Sequence, residues 1–388
     1  MNVIFFKSHT FCAKEIENAL KNRKNIKLII SAIPEKIPAE AAHQVFDQIK
    51  SYMPAIVISV NNAGYDYQGT LSDLIASSGS FQCNWFVDDP FYEDIFYNRR
   101  LPNLKNRLDF VTEETFVTPM RQKGYNAHFL PLAVDPDYFK ADGAVGYARD
   151  CAFVGNSSID FMDSIITVDA QQELQNHAEL LNTLKKKYYN DPYSFDIKKY
   201  LLNNQSLWRK NSVTDAEKFI FRIEWLVGYF YRRDFIVELS EKLENRFTCF
   251  GDIYWSKLIN KSLVSTDACY YTNLCSYYRS TRVNINMNRI QIKTSFTQRI
   301  FDCKACGAFI LTEKRAQNDK FFITKGDKKE LAEFSSWPEC LKLIDYYCAH
   351  EEEREAIAKA GMERVLAEHT YNRRMERIFE LCKKEWGL

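Results

Sequence analysis

The first third of the chain switches repeatedly between two hydrophobic periods. Residues 3–6, 27–31, 55–60, 81–87, 110–112 and 127–130 form short apolar runs, often β-branched, the pattern of buried strands. Between several of them lie stretches of helical period, at 12–22, 39–52 and 70–77. Such alternation predicts a parallel sheet with helices on both faces. Ligands of these sheets sit outside the carboxyl ends of the strands. That rule picks out Ser8-His9-Thr10 after the first strand, Asn61-Asn62-Ala63-Gly64 after the third and Asp88-Asp89-Pro90 after the fourth.

Pro131-Leu132-Ala133-Val134-Asp135-Pro136-Asp137 and then Asp142-Gly143-Ala144-Val145-Gly146 read as an exit from this domain and a linker. A second β/α series opens at Cys151-Ala152-Phe153-Val154-Gly155-Asn156, but its continuation is delayed. Residues from about 157 to 245 are polar, aromatic and mostly helical in character, and are read as an insertion forming an acceptor-binding or partner surface. The series resumes at Phe247-Thr248-Cys249-Phe250-Gly251 and Val283-Asn284-Ile285-Asn286. The tail, about 338 to 383, is strongly helical, with a charged amphipathic helix opening at Glu351-Glu352-Glu353-Arg354.

Between these segments, Thr294-Ser295-Phe296-Thr297-Gln298-Arg299-Ile300-Phe301-Asp302-Cys303-Lys304-Ala305-Cys306-Gly307 predicts a short helix. It has a hydroxyl cap near Thr294 and a glycine stop, and it runs into the apolar strand Ala308-Phe309-Ile310-Leu311. Ser295, Arg299 and Asp302 then share one face. The backbone N–H groups at the helix start suit a phosphate, Arg299 adds a forked cationic contact, and Asp302 accepts from sugar hydroxyls. The plainer reading is a capped surface helix with an i,i+3 Arg–Asp pair.

Composition narrows the class. At 388 residues, two domains are the natural expectation. With 52 basic against 51 acidic residues, no global field invites nucleic acid or an anionic membrane. No apolar run reaches the length of a membrane span. Met1-Asn2-Val3-Ile4-Phe5-Phe6-Lys7 is too short and too soon charged for a secretory signal, and reads as a first strand. The eleven cysteines are odd in number and sit mostly inside apolar runs, so the expectation is a reduced, cytoplasmic protein. Cys303-x-x-Cys306 has no second Cys/His pair at metal-site spacing and reads as packing.

Several motifs occur in order. They are Phe153-Val154-Gly155, the strand at 283–286, and Arg299-Ile300-Phe301-Asp302 before Ala305-Cys306-Gly307-Ala308-Phe309-Ile310-Leu311-Thr312. Glu353-Arg354, Gly361-x-x-Arg364-Val365 and His369-Thr370-Tyr371-x-x-Arg374 follow. Together they resemble the C-terminal domain of the CgeB-like (spore maturation protein type) glycosyltransferases, whose fold is the two-domain GT-B. Asn61-Asn62-Ala63-Gly64 and Trp85-Phe86-Val87-Asp88-Asp89-Pro90 are the N-terminal landmarks of the same resemblance.

The resemblance implies two Rossmann-like β/α/β domains facing a cleft. An acceptor-side domain would span 1–140, and a donor domain 141–370 would carry the insertion. A C-terminal helix at 371–388 would pack back on the first domain. It implies transfer of a sugar from a nucleotide-sugar cosubstrate, with no other cofactor and no metal. The donor residues implied are Gly155, Thr294, Ser295, Arg299 and Asp302, the last on the nucleotide ribose. Retaining members of this fold often carry two glutamates eight residues apart; eight back from Asp302 stands Thr294, so the stereochemical outcome stays open.

An inverting reaction needs a general base, for which His9, Asp88 and Asp89 are the candidates. The 61–64 loop reads equally as a turn and as a substrate contact, so Asn61, Asn62 and Gly64 are held as cleft residues. Tyr65 and Trp85 could stack on a sugar or fill the core. His369-Thr370-Tyr371 reads as an anchor for the last helix. The expected acceptor is a protein, a glycan or a surface-polymer precursor. The alternatives are a nucleotide-sugar epimerase on the same scaffold and a non-catalytic sugar-binding or assembly protein.

Overall fold

The computed structural model describes residues 1–9, 11–143, 146–209 and 213–388. Thr10 of the first strand-end loop, Ala144 and Val145 of the expected linker, and residues 210–212 of the expected insertion lie outside them. The chain divides into two compact units. The first comprises Met1–Asp135, Thr294–Gln298 and Ala367–Leu388; the second comprises Pro136–Lys293 and Arg299–Leu366.

The first unit alternates β1 (Asn2–Lys7), α1 (Ala13–Lys21), β2 (Lys27–Ala32), α2 (Ala42–Ile49), β3 (Ile56–Val60) and α3 (Thr70–Ser77). It continues with β4 (Phe81–Phe86), α4 (Tyr92–Tyr97), β5 (Arg107–Val111), α5 (Val117–Gln122) and β6 (Ala127–Phe129). All six strands are parallel, in the order β2-β1-β3-β4-β5-β6. β3 is buried at every position because helices cover both faces of a parallel sheet. β5 starts three residues before the apolar run 110–112 that announced it. Its first turn of chain carries Arg107 and Asp109, paired at 2.8 Å with both side chains fully buried.

In the second unit β7 (Arg149–Val154) is followed by five helices, α6 (Ile159–Ile165), α7 (Val168–Gln175), α8 (Ala178–Asn190), α9 (Ile197–Asn203) and α10 (Ala216–Leu243). Then come β8 (Phe247–Phe250), β9 (Val264–Ser265), α11 (Leu274–Arg279), β10 (Thr281–Asn286), α12 (Gln298–Ala305) and β11 (Ile310–Glu313). The last elements are α13 (Asn318–Phe321), β12 (Ala332–Phe334), α14 (Trp337–Ala349), α15 (Glu351–Glu368) and α16 (Tyr371–Trp386). The sheet is again wholly parallel, in the order β12-β11-β10-β7-β8-β9. The strand order reverses between β7 and β10, which makes their carboxyl ends the switch point of a Rossmann-like domain.

Two expectations need correction. The helix read from about Thr294 begins at Gln298, so Thr294 and Ser295 precede it and do not share a helical face with Arg299 and Asp302. The stretch read as one insertion is not all insertion. α10 is the crossover from β7 to β8, and thirteen of its residues are buried, among them Phe219, Ile223, Phe235 and Leu239.

α16 belongs to the first unit. Thr370 caps it, Val134 bridges to Thr370, and the buried Arg374 donates to the carbonyls of Pro131 and Leu132 at 2.7–3.3 Å. The Trp386 ring stacks on Phe81 at 4.5 Å. Among the described residues no helix is long and apolar enough to cross a membrane.

Candidate active site

The switch point of the second unit is built from residues without side chains and residues with cationic ones. β7 ends at Val154, and Gly155 continues its pairing through a 2.8 Å bond from its N–H to the Phe250 carbonyl. A Cβ on Gly155 would lie 2.5 Å from Nη2 of Arg232 and 2.8 Å from Nη2 of Arg299. Two guanidinium groups therefore converge on one bare backbone position. A Cβ on Gly251, after β8, would meet the Gly155 carbonyl at 2.4 Å, so this approach of two strand ends also needs a glycine.

Three arginines line the site. Arg232, from α10, is 5% exposed, lies 4.8 Å over the Phe153 ring and donates to the Asn156 carbonyl at 3.0 Å. Arg299, from α12, lies 5.2 Å from the same ring and donates to Asn286 Oδ1 at 2.6 Å. Arg289, after β10, donates to Asn156 Oδ1 at 2.8 Å. Among the described residues none of the three makes an ion pair with a carboxylate, and Nε of Arg232 is buried with no partner. Burial, then the charges of Arg299 and Arg289, push the Arg232 guanidinium well below its ordinary value. An arginine does not give up its proton under such pressure, so a bound anion would relieve the repulsion. Forked guanidinium donors around an open backbone suit a phosphate or diphosphate.

Arg299 and Gly155 are thus brought together, as the sequence reading grouped them. Asp302 lies one turn further along α12, 1% exposed, and accepts from the Tyr270 hydroxyl at 2.8 Å. Thr294 and Ser295 are placed differently from their expected role. Their backbone N–H groups donate to the carboxylate of Glu113, at 3.0 and 3.1 Å, so that carboxylate occupies the donors assigned to a phosphate. Cys303 and Cys306 are buried in and just after α12, as free thiols.

The first unit gathers its candidates at the ends of β1, β3 and β4. Asn61 and Asn62 take positive φ, and Asn61 bonds Asp88 Oδ2 at 2.9 Å and the Val87 N–H at 2.9 Å. Asn62 is buried, receiving Arg107 at 2.7 Å, and a Cβ on Gly64 would lie 1.8 Å from Ile33. This loop is locked into the fold. Asp88 and His9 are exposed, and Asp89 accepts from the Phe91 N–H at 2.9 Å at the approach to α4. Tyr65 is 5% and Trp85 1% exposed; the Trp85 indole donates to the Leu130 carbonyl, so both rings serve the core.

Arg232 and Arg289 were missed from sequence. Arg232 sits in a 28-residue helix inside the stretch read as a partner surface, and Arg289 in a loop with no periodicity. The available signal was the Arg232-Arg233 pair interrupting an aromatic run.

Residues 232–380 match the model of the family described as Glycosyl transferase-like, a match that begins at Arg232 and ends in α16. No curated protein sequence matches the chain. Among solved structures, sucrose-phosphate synthase from Thermosynechococcus elongatus is similar at a TM-score of 0.51 and 11% identity, over 100% of this chain and 99% of the other. An alpha-glucosyltransferase in complex with UDP-glucose and DNA containing an abasic site is similar at a TM-score of 0.51 and 10% identity, over 99% of each. Over residues 232–380 the chain thus resembles the glycosyl transferase-like family, and its two parallel six-stranded sheets have the two-domain GT-B architecture of these structures.

Proposed function

We propose that the chain transfers a sugar from a nucleoside-diphosphate sugar and that the Arg232–Arg289–Arg299 cradle holds the donor's diphosphate. The observation that carries this reading is the convergence of two guanidinium groups on Gly155, neither of them ion-paired to a carboxylate among the described residues. As the sugar–phosphate bond breaks, negative charge grows on the leaving diphosphate, and fixed guanidinium donors stabilise it without reorganising. That supplies the role a divalent metal would otherwise fill, so the reaction is proposed as metal-independent and without a further cofactor. Asp302 is assigned to the ribose hydroxyls. His9, Asp88 and Asp89, at the strand ends of the first unit, are the candidates for deprotonating an acceptor hydroxyl, the acceptor being a protein, a glycan or a surface-polymer precursor. Within the glycosyltransferases the motif string supports the CgeB-like group, acting in the cytoplasm. The UDP-glucose complex of the alpha-glucosyltransferase supports a nucleoside-diphosphate donor.

The test is a thermal-shift panel of nucleoside mono- and diphosphates, their sugar conjugates and inorganic pyrophosphate. A ligand at a hundred times its Kd should stabilise the fold by roughly 2.7 kcal/mol. Diphosphates and pyrophosphate should shift the wild type, and Arg299→Ala should abolish the shift. A panel without any shift would remove the donor-site reading.

A further inference from the structure

We infer that Glu313 is a positioning residue for the donor cradle, acting through Asn288 and Asn286 and not by touching the ligand. The inference rests on the cradle being the seat of the donor diphosphate.

β11 ends at Glu313, which is completely buried. Its Oε2 accepts from the Asn288 backbone N–H at 3.0 Å and from Arg315 Nη2 at 2.9 Å. The first bond fixes the backbone immediately before Arg289, the arginine that reaches Asn156. A second thread runs through the neighbouring position on β11. Thr312 pairs with Asn286 across the parallel β10–β11 ladder. The Asn286 amide donates to Thr312 Oγ1 at 2.9 Å and to Asn288 Oδ1 at 3.1 Å. With its nitrogen held there, Asn286 has one way to face, and its oxygen is turned to Arg299 Nη1 at 2.6 Å. Glu313 thus stands behind the 286–289 turn, and two of the three cradle arginines hang on that turn.

A plain ion pair with Arg315 does not account for the whole arrangement. Arg315 also donates to the Pro192 carbonyl at 3.1 Å, tying down the α8–α9 connection, and that job would be met by a carboxylate placed anywhere alongside. Glu313 instead spends the same oxygen on the Asn288 N–H and leaves Oε1 buried with no partner. Cores avoid an unpartnered carboxylate oxygen, so its charge is wanted where it stands. It is also the buried negative charge that acts favourably on Arg232. Placed behind three guanidinium groups, it lets them gather in the free protein while leaving their open side to the ligand.

The experiment compares wild type, Glu313→Gln and the isosteric Thr312→Val by calorimetric titration with a nucleoside diphosphate and with inorganic pyrophosphate, and by steady-state transfer with UDP-glucose as the trial donor. Glu313→Gln should weaken both ligands equally, by about tenfold, and raise donor KM by the same factor with kcat within about twofold. Thr312→Val should move both affinities the same way by about threefold. Thr312→Val leaves the buried charge in place, and it decides the matter if Glu313→Gln does not fold. Folded variants that bind both ligands like the wild type would overturn the positioning role and leave Glu313 a structural ion pair. A wild type that binds neither ligand would overturn the cradle reading itself.

Discussion

The backbone N–H and the hydroxyl of Thr294 both donate to the carboxylate of Glu113, at 3.0 and 2.5 Å, across 181 positions of sequence. Ser295 and Thr115 add their N–H groups at 3.1 and 3.2 Å, and Glu113 is completely buried. A buried carboxylate is tolerated because four donors surround it. Glu113→Ala would strand three backbone N–H groups and a hydroxyl. The expected loss is about 3 kcal/mol, against about 1 kcal/mol for Thr294→Val, which removes one donor. Denaturant midpoints measure both; equal and small losses would mean that the Glu113 bonds contribute little.

Gly155 and Gly251 should fail in different ways. A methyl on Gly155 meets the ends of two arginine side chains, which can swing away. Gly155→Ala is therefore expected to keep the fold and lose at least about tenfold in nucleoside-diphosphate affinity, because the guanidinium groups no longer converge. A methyl on Gly251 meets the Gly155 carbonyl at 2.4 Å and the Trp255 ring at 2.8 Å, where backbone blocks the escape. Gly251→Ala should cost about 2 kcal/mol of stability or more. Calorimetric titration beside thermal unfolding separates the two. Intact affinity in Gly155→Ala would show that the convergence is not used.

What the sequence disclosed follows from how local each signal is. The inner strands β1, β3 and β4 of the first unit declare themselves because their apolar runs are buried within the parallel sheet, and α3 is legible to the residue. β5 showed only its second half, since Arg107 and Asp109 look like loop residues until each is seen to neutralise the other in the core. The helix start was read four residues early for a similar reason. A threonine before a helix looks like a cap, and nothing nearby tells that its donors go to Glu113. Of the cradle, Arg299 lay in a legible motif, while Arg232 and Arg289 reach Asn156 only through the β7–β10 reversal, which no local pattern encodes.

Lys304 predicts a pH dependence of stability. It is completely buried in α12, donates to the Glu330 carbonyl, and burial lowers its pKa from 10.5 to about 8. The folded state therefore binds fewer protons than the unfolded one between those values, and stability rises with pH across that window. Below about pH 8 the penalty of a buried charge is fully present. Lys304→Met should be the more stable protein at pH 7 by about 1–2 kcal/mol, with the gap closing toward pH 10.5. Unfolding midpoints of both proteins from pH 7 to 10.5 give the difference, and a gap that ignores pH would refute the assignment. Gly361 is bound to the same site, since a Cβ there would lie 2.5 Å from the Lys304 ammonium and 2.6 Å from the Glu330 carbonyl.

Asp302 gives the sharpest test of the donor reading, because its proposed partner is the ribose and the arginines' is the diphosphate. A carboxylate that accepts from ribose hydroxyls contributes to binding only when a ribose is present. Asp302→Ala should therefore weaken a nucleoside diphosphate by about tenfold and inorganic pyrophosphate by less than about twofold. Tyr270→Phe removes the hydroxyl that holds Asp302 Oδ2 at 2.8 Å, and should show the same selectivity at a smaller size, about threefold. Arg299→Ala should weaken both ligands together. If Asp302→Ala does so too, with its thermal midpoint unchanged, the carboxylate shapes the cradle and does not read the ribose.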